Sequence, residues 1–155
     1  MTPKLTHDFF RGLYPIFLLV ILSFSKHASS DKSIVIKHHP IDSDRVYYSK
    51  FIADLSQELN TANRVKVVHD VYLPTLLKNA IGTITINSIV GLSSVYHETA
   101  VIYLDRAIYD KERLTAIDVD LDDACCLDLQ VNKGLYKKFR VYLVKNTQIN
   151  MSFYE

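Results

Sequence analysis

Cysteine is almost absent from this chain: its 155 residues hold two, and they are neighbours, Cys125 and Cys126. Adjacent cysteines rarely bridge to each other, and no second cluster offers a Cys/His metal site. A reduced, cytoplasmic chain fits, with both thiols packing rather than reacting, and no metal is expected. Net charge is equally scarce. Eighteen basic residues against 17 acidic ones leave +1, with Lys and Arg scattered, so nucleic acid is not an expected partner. The four glycines form no G-x-G-x-x-G, Walker loop or nucleophile elbow. No repeat or low-complexity segment is visible. The acidic stretch Asp118-Val119-Asp120-Leu121-Asp122-Asp123 lacks the central glycine and closing glutamate of a calcium loop, and reads as a solvated loop.

What is present is enough apolar residue, 48%, for the core of one domain. The first thirty residues admit two readings. Lys4 and Arg11 precede the apolar run Leu13 to Leu22, and Ala28-Ser29-Ser30 follows, as in a secretory signal. The same run suits a buried helix leading into the first strand. It falls short of the ~20 apolar residues that a bilayer span needs. A peripheral position on a membrane surface is a further expectation for this helix.

Beyond it the pattern alternates. Ser33 to Lys37 reads as a strand. Tyr47, Tyr48, Phe51, Ile52, Leu55 and Leu59 recur at helical spacing over Asp44 to Asn60, with Asp42 or Ser43 as the cap. Val65 to Val68 is a short strand, and Pro74 opens a short helix that Gly82 breaks. Thr83 to Ile86 is the next strand, Gly91 to Tyr96 a helix and Ala100 to Leu104 a strand. Leu135, Phe139, Tyr142 and Leu143 then mark a last amphipathic helix. The ten tyrosines mostly sit at packing positions. Such alternation predicts an α/β fold with a mainly parallel, Rossmann-like sheet flanked by helices. The expected layout is a lead-in helix over 1–30, a Rossmann-like lobe over 31–131, and a helix and tail over 132–155.

The residues that can carry chemistry lie at strand ends. Ile34-Val35-Ile36-Lys37-His38-His39-Pro40 stops on two histidines and a proline. His39, at the end of a parallel strand, can donate to a phosphate; Lys37 or His38 can add charge, and Pro40 fixes the turn. Asn87 and Ser88, with Gly91 behind them, stand where the first free amides of a helix attract an anion. His69 and Asp70 either add a contact or cap the next helix. Each feature alone also has a plain structural reading. Together they point to a nucleotide or nucleotide-sugar site above one sheet edge.

Several of these stretches recur in one order in a known family: Lys37-His38-His39-Pro40; His69-Asp70 with Leu73-Pro74; Thr85 to Leu92; Ala107-Ile108-Tyr109-Asp110 with Leu114-Thr115; and Thr147 to Tyr154. They resemble the bacterial capsule polysaccharide biosynthesis and export proteins of the KpsS/LipB type, and His7 to Arg11 resembles that family's helix before the His-Pro strand. The resemblance favours the helix reading of the apolar run.

It implies a glycosyltransferase that uses CMP-Kdo to build a β-linked Kdo linker on a phospholipid. It also implies two Rossmann-like halves of GT-B type, of which this chain is similar to the C-terminal, donor-binding one. His39 and Pro40 would then serve the CMP phosphate, and Asn87 and Ser88 the phosphate or the donor carboxylate. The phospholipid acceptor would belong to a missing N-terminal half, so the short chain would turn over little alone. A non-catalytic module of the capsule export machinery is the competing expectation, and a secreted α/β binding protein a third. Departures are few. Ile89 stands where the family usually has threonine, Met151 where it has glycine, and Ala124-Cys125 where it has Phe-Trp.

Overall fold

The structure is a computed structural model that describes residues 13–38, 45–86, 88–105, 114, 120–125 and 131–146, with only the backbone at 45–47. The chain divides into two compact units. The first comprises Met1–Val71 with Asp120–Leu127, and the second Tyr72–Val119 with Asp128–Glu155.

The first unit begins with α1 (Tyr14–His27), followed by β1 (Ile34–Lys37), α2 (Arg45–Glu58) and β2 (Val65–Val68). The apolar run is therefore a packed domain helix. Ile21 is 0% exposed, and it meets Phe24, Tyr48, Ile52, Leu55 and Val65 in one cluster. Burying a side chain such as Ile21 or Ile52 stabilises the fold by roughly 1.5–3 kcal/mol. Strands β1 and β2 pair in parallel, Ile34 opposite Val65 through Lys37 opposite Val68. A parallel pair needs a crossover, and α2 supplies it.

The acidic stretch departs from the expected solvated loop. Leu121–Ala124 forms a single helical turn, α5, in the first unit. Leu121 is buried while Asp122 and Asp123 face solvent, and Asp122 reaches His27 Nε2 at 3.4 Å. The turn packs against α1 with its one apolar residue buried. Cys125 sits half-buried there, its Sγ 3.8 Å from Ser23 Oγ; Cys126 lies outside the described residues.

The second unit repeats the arrangement with α3 (Leu73–Lys78), β3 (Gly82–Thr85), α4 (Val90–Tyr96), β4 (Ala100–Tyr103) and α6 (Lys133–Asn146). Strands β3 and β4 are also parallel, Gly82 opposite Ala100 through Thr85 opposite Tyr103. Gly82 opens β3 instead of breaking α3. The helix stops earlier, at Asn79, whose Nδ2 donates to Thr75 O and whose N–H donates to Leu76 O. Val95, Val101 and Leu114 form the core, against which Leu92, Leu135, Tyr136 and Phe139 pack. Tyr142, expected on the buried face of α6, is 60% exposed; the buried positions are instead covered by Leu135, Tyr136, Phe139 and Leu143.

The α/β class and the parallel pairing are as expected and consistent with a Rossmann-like fold. One continuous sheet is not seen: among the described residues the strands pair two by two, β1 with β2 and β3 with β4.

Both crossover helices end by the same device. Thr61 N–H donates to Ser56 O and Asn60 N–H to Gln57 O; Thr99 N–H donates to Ser94 O and Glu98 N–H to Val95 O. These are Schellman closures, with Asn60 (φ 55°) and Glu98 (φ 65°) in the left-handed region. In each helix the serine hydroxyl returns to the carbonyl one turn back, Ser56 to Ile52 O at 2.6 Å and Ser94 to Val90 O at 2.8 Å. All four serines and threonines are buried.

Candidate functional site

In the first unit the β1–β2 ladder runs one step past the strands, because His38 N–H donates to Val68 O at 3.2 Å. That step sets His38 beside His69. Their rings stack with centroids 5.2 Å apart. His38 is 5% exposed, and its ring also lies against Tyr48 (6.1 Å) and Phe17 (6.3 Å). Tyr48 is in turn held by Tyr14 (4.8 Å) and Phe17 (5.4 Å). The result is an aromatic bed below His69, which is itself exposed, as is Asp70.

This divides the roles that the sequence left together. His38 points inward and works as a platform, so the solvent-facing imidazole is that of His69. Lys37 Nζ donates to His38 O at 3.4 Å, which keeps a cation at the strand end. His39 and Pro40 lie outside the described residues. Sequence reasoning took Tyr48 as a packing residue and missed its contact with His38; the signal was its place on the helix directly after the His-His-Pro stretch.

In the second unit the β3–β4 ladder also continues, through Leu104 N–H to Thr85 O (2.9 Å) and Asp105 N–H to Ile86 O (3.3 Å). Ser88 follows, exposed, and its Oγ accepts the Val90 N–H at 3.3 Å. The N-cap position belongs to Ile89, which has no capping side chain, so Ser88 caps from one residue further back. Gly91 is buried in the first turn of α4, and its N–H donates to Ser88 O at 3.0 Å. Asn87 lies outside the described residues. The structure thus brings Lys37, His38, His69 and Asp70 to one strand-end cluster, and Ser88 and Gly91 to another.

An imidazole on an aromatic bed and a hydroxyl at a helix start are both able to donate to phosphate or carboxylate oxygens. Among the described residues, no group of three or more His, Cys, Asp and Glu side chains is placed to hold a metal ion. Nor, among them, is any helix long and apolar enough to cross a membrane.

The chain is 37% identical over 135 residues to the capsule polysaccharide export protein KpsS of Escherichia coli, covering 87% of this chain and 34% of that protein. It is 37% identical over 149 residues to the capsule polysaccharide modification protein LipB of Neisseria meningitidis serogroup A, covering 96% of this chain and 35% of that protein. The chain therefore spans about a third of the length of the curated relatives it matches. No solved structure matches it. Residues 6–154 match the family of capsule polysaccharide biosynthesis proteins, and to that family the chain belongs.

Proposed function

We propose that this chain binds the nucleotide-sugar donor, CMP-Kdo, for a capsule β-Kdo glycosyltransferase. The observation that carries the reading is the exposed His69 stacked on the buried His38 where a parallel pair ends, in a capsule-family chain. Ligands of open α/β folds bind beyond the carboxyl ends of the strands. There the His69 imidazole and the Lys37 ammonium are the donors for the CMP phosphate, and His39 and Pro40 belong to the same proposed contact. In the second unit Ser88, with Asn87 and Gly91, is a separate candidate contact for a phosphate or a carboxylate. Such a lobe resembles the C-terminal half of a GT-B enzyme. The phospholipid acceptor then belongs to the part of the relatives that this chain does not span. Transfer needs both substrates held in line, so this length of chain binds donor and turns it over poorly.

Calorimetric titration with CMP tests the reading, with UMP and AMP as controls. His39→Ala, His69→Ala and Ser88→Ala should each weaken CMP binding roughly ten- to hundredfold, the worth of one charge-assisted contact. Circular dichroism should be unchanged. Unchanged affinity in all three variants would sink it. The E. coli relative is named an export protein, which favours a second reading: a non-catalytic module of the export machinery. A folded chain that ignores CMP would give that reading the lead.

A further inference from the structure

Helix α6 has a charge pattern unlike the rest of the molecule. Its fourteen residues, KGLYKKFRVYLVKN, contain Lys133, Lys137, Lys138, Arg140 and Lys145 and no acid, while the whole chain nets only +1. Of these five cations, Lys133 alone has an ion-pair partner among the described residues, Glu98 at 2.6 Å. The inner face is already occupied. Leu135, Tyr136 and Phe139 pack on the Val95–Val101–Leu114 core, Leu143 is 8% exposed, and burial pushes the Tyr136 phenol up from its ordinary pKa.

The opposite face is turned to solvent and is not simply polar. Val141 (53% exposed) and Val144 (42%) lie between Lys137, Lys138 and Lys145, and Tyr142 (60%) flanks them. Beside the helix Tyr96 is also exposed, with the Arg140 guanidinium 5.5 Å above its ring. Exposed aliphatic side chains between lysines suit a surface that is anionic outside and apolar just beneath. A nucleic acid backbone offers the first property and not the second. At 1.5 Å per residue the helix is ~21 Å long, too short to cross ~30 Å of hydrocarbon, so it can only lie along the interface.

We propose that the outer face of α6 docks this protein on an anionic phospholipid bilayer. The lysines meet the headgroups, and Val141, Val144 and Tyr142 enter the headgroup–acyl boundary. This inference does not depend on donor binding, and the two fail separately.

The test is co-sedimentation of the full chain with vesicles. One set holds equal parts phosphatidylglycerol and phosphatidylcholine, and the other phosphatidylcholine alone. The chain should pellet with the anionic vesicles only and be released by high salt. The triple variant Lys137→Glu, Lys138→Glu, Lys145→Glu should lose about tenfold or more in partitioning, given the attraction each lysine adds at such a surface. Val141→Ser should weaken binding severalfold and leave its salt dependence intact. Circular dichroism checks that the exposed substitutions leave the fold unchanged. Equal pelleting with neutral vesicles, an unaffected triple variant, an unaffected Val141→Ser, or no pelleting at all would overturn the proposal. So would binding to heparin or single-stranded DNA without binding to vesicles, which would make the face a general polyanion site.

Discussion

The residues that hold this molecule to one conformation are small and polar. Thr99 is the clearest case: 3% exposed, it donates from Oγ1 to Leu77 O at 2.6 Å while its own N–H closes α4. Removing the hydroxyl leaves the buried Leu77 carbonyl to the Ala80 N–H, and losing one such bond costs ~0.5–1.5 kcal/mol. Thr99→Val should therefore lower the unfolding free energy measured in urea by that amount, and Thr99→Ser should recover most of it. Unchanged stability in Thr99→Val would show the hydroxyl to be idle. At the site the same scale separates His38 from His69. Both were legible as strand-end histidines, because His69 follows an apolar run directly and His38 follows one after Lys37. Which one faces out was not, since the ladder continues one residue further and turns His38 into the aromatic bed.

The elements were legible where hydrophobic pattern decides them. All four strands fall within a residue of their expected bounds, since each is a short apolar run between polar turns. Misreadings occurred where one residue was given more weight than its surroundings. Gly82 suggested a helix break and is a strand residue, and the acids around Leu121 concealed a turn that burial of that leucine holds. The closing motif shared by α2 and α4 went unseen because its signal is two small residues five apart, with no apolar period.

Contacts between elements follow from long side chains instead. Arg64 lies over the Phe24 ring at 4.8 Å and donates to Ser29 O at 2.9 Å and Ala28 O at 3.4 Å, tying the end of α1 to the start of β2. Arg64→Leu keeps the apolar contact with Phe24 and removes the charge. It should cost about 1 kcal/mol in chemical denaturation, and a loss within error of zero would show the clamp to be idle.

At the scale of the whole molecule, stability comes from two cores. The Ile21–Ile52 cluster and the Val95–Val101 cluster have no residue in common, and each belongs to its own unit. Ile21→Ala should cost ~2–5 kcal/mol. Combined with Val101→Ala, the losses should add to within ~0.5 kcal/mol, as they do for sites without shared partners. A coupling energy well above that, measured as a double-mutant cycle, would show that the cores communicate.

The duplicated helix ending also sets what the gene can tolerate. Ser56 and Thr61 lock the end of α2, and the next strand begins four residues later at Val65 with its register already specified. A single inserted codon between them would move Asn60 or its neighbour out of the left-handed position and slide β2 by one residue. That slide exchanges its inner and outer faces, bringing Lys66 into the place of Val65 or Val67. The same holds between Ser94 and Ala100. Length changes in these two short segments should be as rare among viable sequences as substitutions of the core itself, and a drifting copy of this gene would betray lost function there first.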